Sequence, residues 1–182
     1  GVVDGVPEGW RKVKLSDAGI YIASGSTPRR KNKEYWSSPD HIWFKTKELK
    51  DNFLFTSEEY NSNEGLENSS VKIFPVGSVL MAIYASPTLG RLGVLTSSSG
   101  FNQATVGFKT NNEQVSSEYL YYYLLKERDN LNALAMGAAQ QNISVKVVKN
   151  YPIIIPVKNL VDSFSGRIEP FWKQKVNLLQ QN

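Results

Sequence analysis

Residues 80–108, LMAIYASPTLGRLGVLTSSSGFNQATVGF, constrain the fold more than any other stretch of this chain. Three apolar runs of strand length, 79–84, 92–95 and 104–108, alternate with clusters rich in Ser, Thr, Pro, Gly and Asn. Runs that short, bounded by residues that turn the chain, read as strands of a sheet. Between the first two, residues 85–90 are small and polar, and Arg91 follows them. Gly90 and Gly93 allow positive φ, or close approach to the backbone by something outside the protein. Two readings of this loop stand. It is a plain hairpin turn, or its small polar groups and guanidinium grip an anion or read a base edge.

A sheet of this kind needs a core, and the composition supplies one. The chain has 182 residues, 41% of them apolar, which suits one domain with room for an appendage. The net charge of +4 and pI near 9.2 fit an anionic partner without requiring one. The cations come in groups: Arg29, Arg30, Lys31 and Lys33, then Lys45, Lys47 and Lys50. Each group reads either as a solvated face or as part of a nucleic-acid patch. There is no Cys, which excludes disulfides and thiolate metal sites and suits a reducing, cytoplasmic setting. No run of 18 apolar residues occurs and no signal peptide opens the chain, so no membrane partner is expected. The chain starts at Gly1 and stops inside a helical pattern, which suggests a piece of a longer protein.

Catalytic chemistry finds little to work with. His41 is the only histidine, so transition-metal clusters and histidine-based nucleophilic triads are not expected. GxxxxGK[ST], GxGxxG and an adenine-methyltransferase D/N-P-P-Y/F tetrad are all missing. One pattern does match: Pro39-Asp40 with Glu48-Leu49-Lys50 spells PD…ExK, whose carboxylates hold Mg²⁺ in some nucleases. Seven residues between Asp40 and Glu48 are tight for two paired strands with a turn. The preferred reading is that Asp40 starts a strand and Glu48 balances nearby lysines.

Elsewhere, residues 5–10 form an opening turn whose Trp10 anchors the terminus in the core. Residues 15–18 make a helical turn, and 20–23 and 42–44 are strands. Residues 24–39 are a long polar loop, with Tyr35 and Trp36 read as core, and 45–50 a basic turn. Residues 53–70 read as an irregular surface connection, and 72–74 as a strand. Ser116 or Ser117 caps a helix over 118–126. Residues 121–123, three consecutive tyrosines, tempt one to see a base-stacking platform. Adjacent helical residues point apart, so core plus surface is the better reading. Residues 151–157, YPIIIPV, are a buried strand. From 159 the period becomes helical, with Phe164, Ile168, Phe171, Trp172, Val176 and Leu179 as its stripe. Pro170 either kinks this helix or marks a helix start.

Four segments, in order across residues 5–157, resemble the target recognition domain of type I restriction–modification specificity (S) subunits. Residues 7–15, PEGWRKVKL, resemble its P-x-GW opening. Residues 25–49, GSTPRRKNKEYWSSPDHIWFKTKEL, are similar to its G-x-TP, YW and I-x-W elements and the polar turn after them. LMAIYASPTLGRLG with Phe101-Asn102-Gln103 fits its strand, Gly-containing loop and NQ pair, and 137–156, GAAQQNISVKVVKNYPIIIP, its G-x-x-Q-x-x-IS…P-I-P close. Phe44-Lys45-Thr46 departs from the usual valine and polar set, which bears on base contacts.

The resemblance implies a mixed α/β (α+β) fold. A twisted-sheet recognition domain with short flanking helices spans 1–158, and a spacer helix begins over 159–182. It also implies that a full S subunit carries two such domains related by pseudo-twofold symmetry, with antiparallel spacer helices between them. Each domain then reads half of a split double-stranded DNA target. Methyltransferase (M) subunits and motor-nuclease restriction (R) subunits would be partners. S-adenosylmethionine, ATP and Mg would serve those subunits, with no cofactor and no catalysis in this chain. On that reading Arg91, Gln140, Gln141, Thr46, Ser86 and Thr88 suit base edges. Arg29, Arg30, Lys45, Lys47 and Lys50 suit phosphates. Asn102 and Gln103 either contact DNA or tie the loop. Phe164, Ile168, Trp172, Val176 and Leu179 would serve helix packing with a partner. The competing class is a protein-interaction module whose basic loops bind acidic protein surfaces.

Overall fold

The computed structural model describes residues 1–3, 5–84, 88–136 and 142–181. In chain order the strands and helices are β1 (Val2–Val3), β2 (Val6–Pro7), β3 (Arg11–Lys14), β4 (Ile20–Ser24), β5 (His41–Phe44), β6 (Asn52–Leu54), β7 (Glu59–Asn61), α1 (Asn63–Glu67), β8 (Val79–Ala82), β9 (Leu92–Leu95), β10 (Gly100–Phe101), β11 (Thr105–Thr110), α2 (Ser117–Lys126), α3 (Arg128–Met136), α4 (Val145–Asn150), β12 (Pro152–Ile155) and α5 (Lys158–Gln180). Short 3₁₀ turns cover Leu15–Asp17, Lys33–Trp36 and Thr46–Glu48.

The centre is a five-stranded sheet in the order β4-β11-β8-β9-β6. Its pairs are antiparallel except β6 with β9, which run parallel. Side chains alternate across it. Val79, Met81 and Ile83 enter one core with Leu120, Tyr121, Leu124, Ile153 and Ile155. Leu80 and Ala82 enter a second core with Phe44, Leu49, Phe74 and Phe101. Helices and β12 therefore cover one face, and the small β10-β5-β7 sheet covers the other. A strand buried on both faces needs apolar residues at every position, which explains the unbroken run at 79–83. The fold is the mixed α/β arrangement expected.

Several local expectations hold. Ser116 is the α2 cap, its Oγ accepting from the Tyr119 amide at 3.0 Å. Tyr121 is buried and Tyr122 is exposed, so the tyrosine run divides between core and surface. Others change. Residues 53–70 are not an irregular connection: they hold most of β6, all of β7 and α1. Three-residue strands carry too little periodicity to show in sequence, and their partners, β9 and β5, are distant. Residues 72–74 contribute only an isolated bridge from Phe74 to Ser99. Trp10, Tyr35 and Trp36 are half-buried rather than core, with Trp36 packed edge-on against the buried Trp43. Pro170 lies inside α5 and marks no helix start.

α5 rests on α2 and the sheet. Trp172 meets Phe53 and Tyr121 edge-on at centroid distances of 5.3 and 5.5 Å. Phe164 meets Tyr119 and Tyr122 at 6.0 and 5.9 Å. Ser165 Oγ donates to Ser116 Oγ at 2.6 Å.

Candidate nucleic-acid interface

Strand polarity brings the polar loops together. The registers Val106↔Ser24, Thr105↔Ala82, Met81↔Leu92 and Asn52↔Gly93 define one end of the central sheet. The exits of β4 and β8 and the starts of β11, β9 and β6 all lie there. The chain after Ser24, residues 83–84 and 88–91, Asn102-Gln103 and Lys50-Asp51 therefore meet at this end. The Asn102 amide donates to the Phe44 carbonyl at 3.0 Å, which adds the basic turn after β5. The Ile143 amide donates to the Ile83 carbonyl at 2.9 Å, which adds the start of the α4 segment. Lys45, Thr46, Lys47, Lys50, Thr88 and Arg91 are thus carried on neighbouring loops, and Arg29 and Arg30 follow from the β4 exit. Ser86, Gln140 and Gln141 lie outside the described residues.

Two acids organise the cations. Glu59 pairs with Arg30 and Lys45, each at 2.5 Å. Glu58 pairs with Lys47 at 2.5 Å and Lys45 at 3.2 Å. The Arg30 guanidinium also lies 3.9 Å from the Trp36 ring centroid, a cation–π stack. The Lys47 and Lys45 hydrogen bonds hold the Glu58 carboxyl below its ordinary range. Burial pushes Glu59 up, but the bonds from Lys45 and Arg30 outweigh it, and the net shift is down. The same bond from Lys45 to Glu59 raises the lysine. Three of the five cations proposed for phosphates are thus partly neutralised within the chain. Among the described residues, Arg29 and Lys50 have no acidic partner.

Among the described residues Glu48 makes no ion pair with the lysines; Lys45 and Lys47 pair with Glu58 and Glu59 instead. The Glu48 carboxylate accepts from the Lys45 amide at 2.7 Å and the Glu58 amide at 3.1 Å, pinning the basic turn against β7's approach. Asp40 accepts from Ser38 Oγ at 2.6 Å and the Asn63 amide at 2.9 Å. These bonds hold its carboxyl below the ordinary range, Ser38 contributing most. The two PD…ExK carboxylates serve separate backbone segments. Among the described residues no three His, Cys, Asp or Glu side chains group to hold a metal.

Sequence reasoning missed Asp51 and Arg128, which set the root of the Arg91 loop. The Arg128 guanidinium grips both Asp51 carboxylate oxygens, Nη1 reaching Oδ2 at 3.0 Å. Its Nε donates to the Gly90 carbonyl at 2.9 Å. Asp51 Oδ1 accepts from the Leu92 amide at 3.0 Å, and the Asp51 carbonyl accepts from the Tyr121 hydroxyl at 3.1 Å. Gly90 has φ +80°, and a Cβ there would lie 2.9 Å from Arg128 Cγ. A Cβ at Gly93 would lie 2.6 Å from Leu54 Cδ1. Both glycines make room for the protein's own side chains, not for an outside group. The only local hint was the Asp51-Asn52 turn pair, and Asp51 does take φ 59°.

Asn102 and Gln103 tie loops: Thr105 Oγ1 donates to Asn102 Oδ1 at 3.0 Å, and Thr27 Oγ1 donates to Gln103 Oε1. On α5, Phe164, Trp172 and Val176 turn toward their own domain and Ile168 is half-buried, while Leu179 is exposed. Leu160 and Phe171 are exposed as well.

Comparison with known proteins completes the picture. The family profile of the type I restriction modification DNA specificity domain matches residues 7–161. The type I restriction enzyme MjaIX specificity subunit of Methanocaldococcus jannaschii is 32% identical over 124 residues, covering 64% of this chain and 27% of that protein. The solved HsdS subunit from Thermoanaerobacter tengcongensis shares the fold with a TM-score of 0.70 at 18% identity, over 97% of this chain and 40% of that one. The type I restriction–modification S subunit from M. genitalium shares it at 0.57 and 8% identity, over 93% and 42%. The chain thus spans about a quarter of the curated relative's length and about two fifths of the solved chains. With 7–161 matched as one unbroken domain, this chain belongs to the type I restriction–modification DNA specificity domain family.

Proposed function

We propose that this chain reads one half of a bipartite duplex-DNA target for a type I restriction–modification complex. It acts as a recognition module and not as an enzyme. The carrying observation is the convergence of Thr46, Lys50, Thr88 and Arg91 at one end of a sheet that is buried on both faces. A rigid sheet holds the loops, and the loops present groups of the types that match base edges and phosphates. Arg91 sits where β9 begins, its amide bonded to the Thr88 carbonyl at 2.9 Å and its carbonyl accepting from Ala82 at 3.0 Å. In this position a planar guanidinium can take guanine's two acceptors at once.

In the same reading α5 extends toward the rest of an S subunit. M and R subunits, with S-adenosylmethionine, ATP and Mg²⁺, supply the chemistry. The DNA it reads would be cytoplasmic; among the described residues no helix is long and apolar enough to cross a membrane.

The test uses the full specificity subunit bound to its methyltransferase. Selection from a randomised duplex library identifies the target, and single-base variants of it then form a panel. Arg91→Ala should cost about 1–3 kcal/mol on the target and relax preference at one position. Lys50→Ala should weaken all duplexes alike and lower the slope of log K against log salt by about 0.9. Equal, uniform losses from both substitutions would make Arg91 a phosphate contact and undo its assignment.

A further inference from the structure

Beside the exit of β4, Ser24, Ser26, Thr27, Ser70, Lys72 and Gln103 line an open cleft of about 370 Å³. Its lining carries hydroxyls, an amide and an ammonium, and no carboxylate. Ser26 Oγ and Ser70 Oγ lie 2.6 Å apart, so one donates and the other keeps its own proton for an incoming acceptor. Thr27 donates to Gln103 Oε1, which occupies that amide's acceptor and leaves its N–H donors to the cleft. Lys72 is exposed, with no ion pair among the described residues. The wall beneath is fixed: the Gly25 amide donates to Thr105 at 3.0 Å, the Ser26 amide to Phe101 at 2.9 Å, and Trp43 Nε1 to the Ser26 carbonyl at 3.0 Å. A preorganised cluster of donors without an acid is a receptor for an oxyanion.

We infer that this cleft seats a phosphodiester of the DNA backbone on the strand opposite the one that Lys50 holds. The inference rests on the reading that duplex DNA meets this end of the sheet. β4 and β6 are the two edges of the central sheet, four strand spacings apart. At about 4.8 Å each, that separation is roughly 19 Å. The major groove is about 12 Å wide between its two backbones, each of which has its own thickness. One backbone therefore rests at the β4 edge and the other at the β6 edge, with Arg91, beside β6's neighbour β9, reaching into the groove between them. Arg30, Lys45 and Lys47 are already engaged by Glu58 and Glu59, which leaves Lys50 and Lys72 as cations open to phosphate.

The experiment measures duplex binding by the full specificity subunit with its methyltransferase, across a salt series and on random-sequence DNA. Lys72→Gln should reduce the magnitude of the log K against log salt slope by about 0.9 and weaken every sequence equally, while Lys72→Arg keeps the wild-type slope. Gln103→Glu retains the acceptor for Thr27 but turns a carboxylate toward the cleft, so it should weaken binding more than Lys72→Gln. Melting temperatures near wild type would accompany both, because both side chains are exposed. An unchanged slope in Lys72→Gln, or binding undiminished in Gln103→Glu, overturns the phosphate seat while leaving DNA recognition standing. A wild-type complex whose affinity for duplexes shows no salt dependence would instead sink the recognition reading itself.

Discussion

Arg128 lies far along the chain from Arg91, yet its fork fixes the backbone beside it. One guanidinium closes on Asp51 and on the Gly90 carbonyl, and Asp51 closes on the Leu92 amide. The residues on either side of Arg91 are therefore held by the same pair. The Arg128 and Asp51 side chains are 25% and 32% exposed, so solvent weakens their Coulomb attraction. Directed hydrogen bonds to charged groups remain, and deleting them costs about 1–3 kcal/mol. Arg128→Gln should lower stability by about that amount in urea denaturation. It should also relax base preference at the position that Arg91 is proposed to read, while leaving the salt slope unchanged. Arg128→Lys should keep only part of either, because an ammonium cannot bridge two carboxylate oxygens in plane. If stability falls while base preference stays intact, the clamp is structural only.

At the scale of elements, α5 shows how neighbouring apolar residues part company. It has 23 residues and is about 34 Å long at about 1.5 Å per residue. Trp172 packs on Phe53, Tyr121 and Tyr122, whereas Phe171 is 67% exposed. Phe164 and Val176 share the inward side. The apolar stripe read from sequence is thus divided between the chain's own domain and its outer surface. Trp172→Ala should destabilise the domain by roughly 2–4 kcal/mol, near the lower end for large-to-small changes because the ring is only half-buried. Phe171→Lys should leave stability within about 0.5 kcal/mol, as exposed substitutions do. It should instead weaken assembly with the methyltransferase or a second recognition domain. Denaturation curves and sedimentation of the reconstituted complex separate the two. Unimpaired assembly in Phe171→Lys would show that the outer side of α5 faces solvent there.

The molecule is built on a central sheet between two cores, and that arrangement ties distant parts together. Leu80 is fully buried beneath the small sheet, while Met81, its chain neighbour, is fully buried beneath the helices. Neither core can loosen without moving β8. Leu80→Ala should therefore cost about 2–5 kcal/mol through lost burial and the cavity left behind. Unfolding should remain a single transition, with Trp43 reporting from one side and Trp172 from the other. Two separated transitions by these probes would mean that the layers are independent. The same rigidity suits recognition, since loops on a fixed frame lose less conformational entropy when they bind.

Local chemistry in the chain was enough for much of this. The runs at 79–84, 92–95 and 104–108 became β8, β9 and β11 because short apolar segments between Ser, Gly and Asn have few other uses. The Ser116 cap and the terminal helical period were equally legible, since both act within a turn or two. The four ordered motifs named the family before any contact was known, and the match over 7–161 shows it. Tertiary structure alone decided the rest. It paired β6 with β9 in parallel, set Arg30 and Lys45 on Glu59, and brought Arg128 to Asp51 across 77 positions. It turned Trp172 rather than Phe171 toward the core. Propensity and periodicity report on neighbours along the chain. Which cation meets which acid, and which side of a helix turns inward, depends on strand order and register, and these follow from how the whole chain buries its apolar surface.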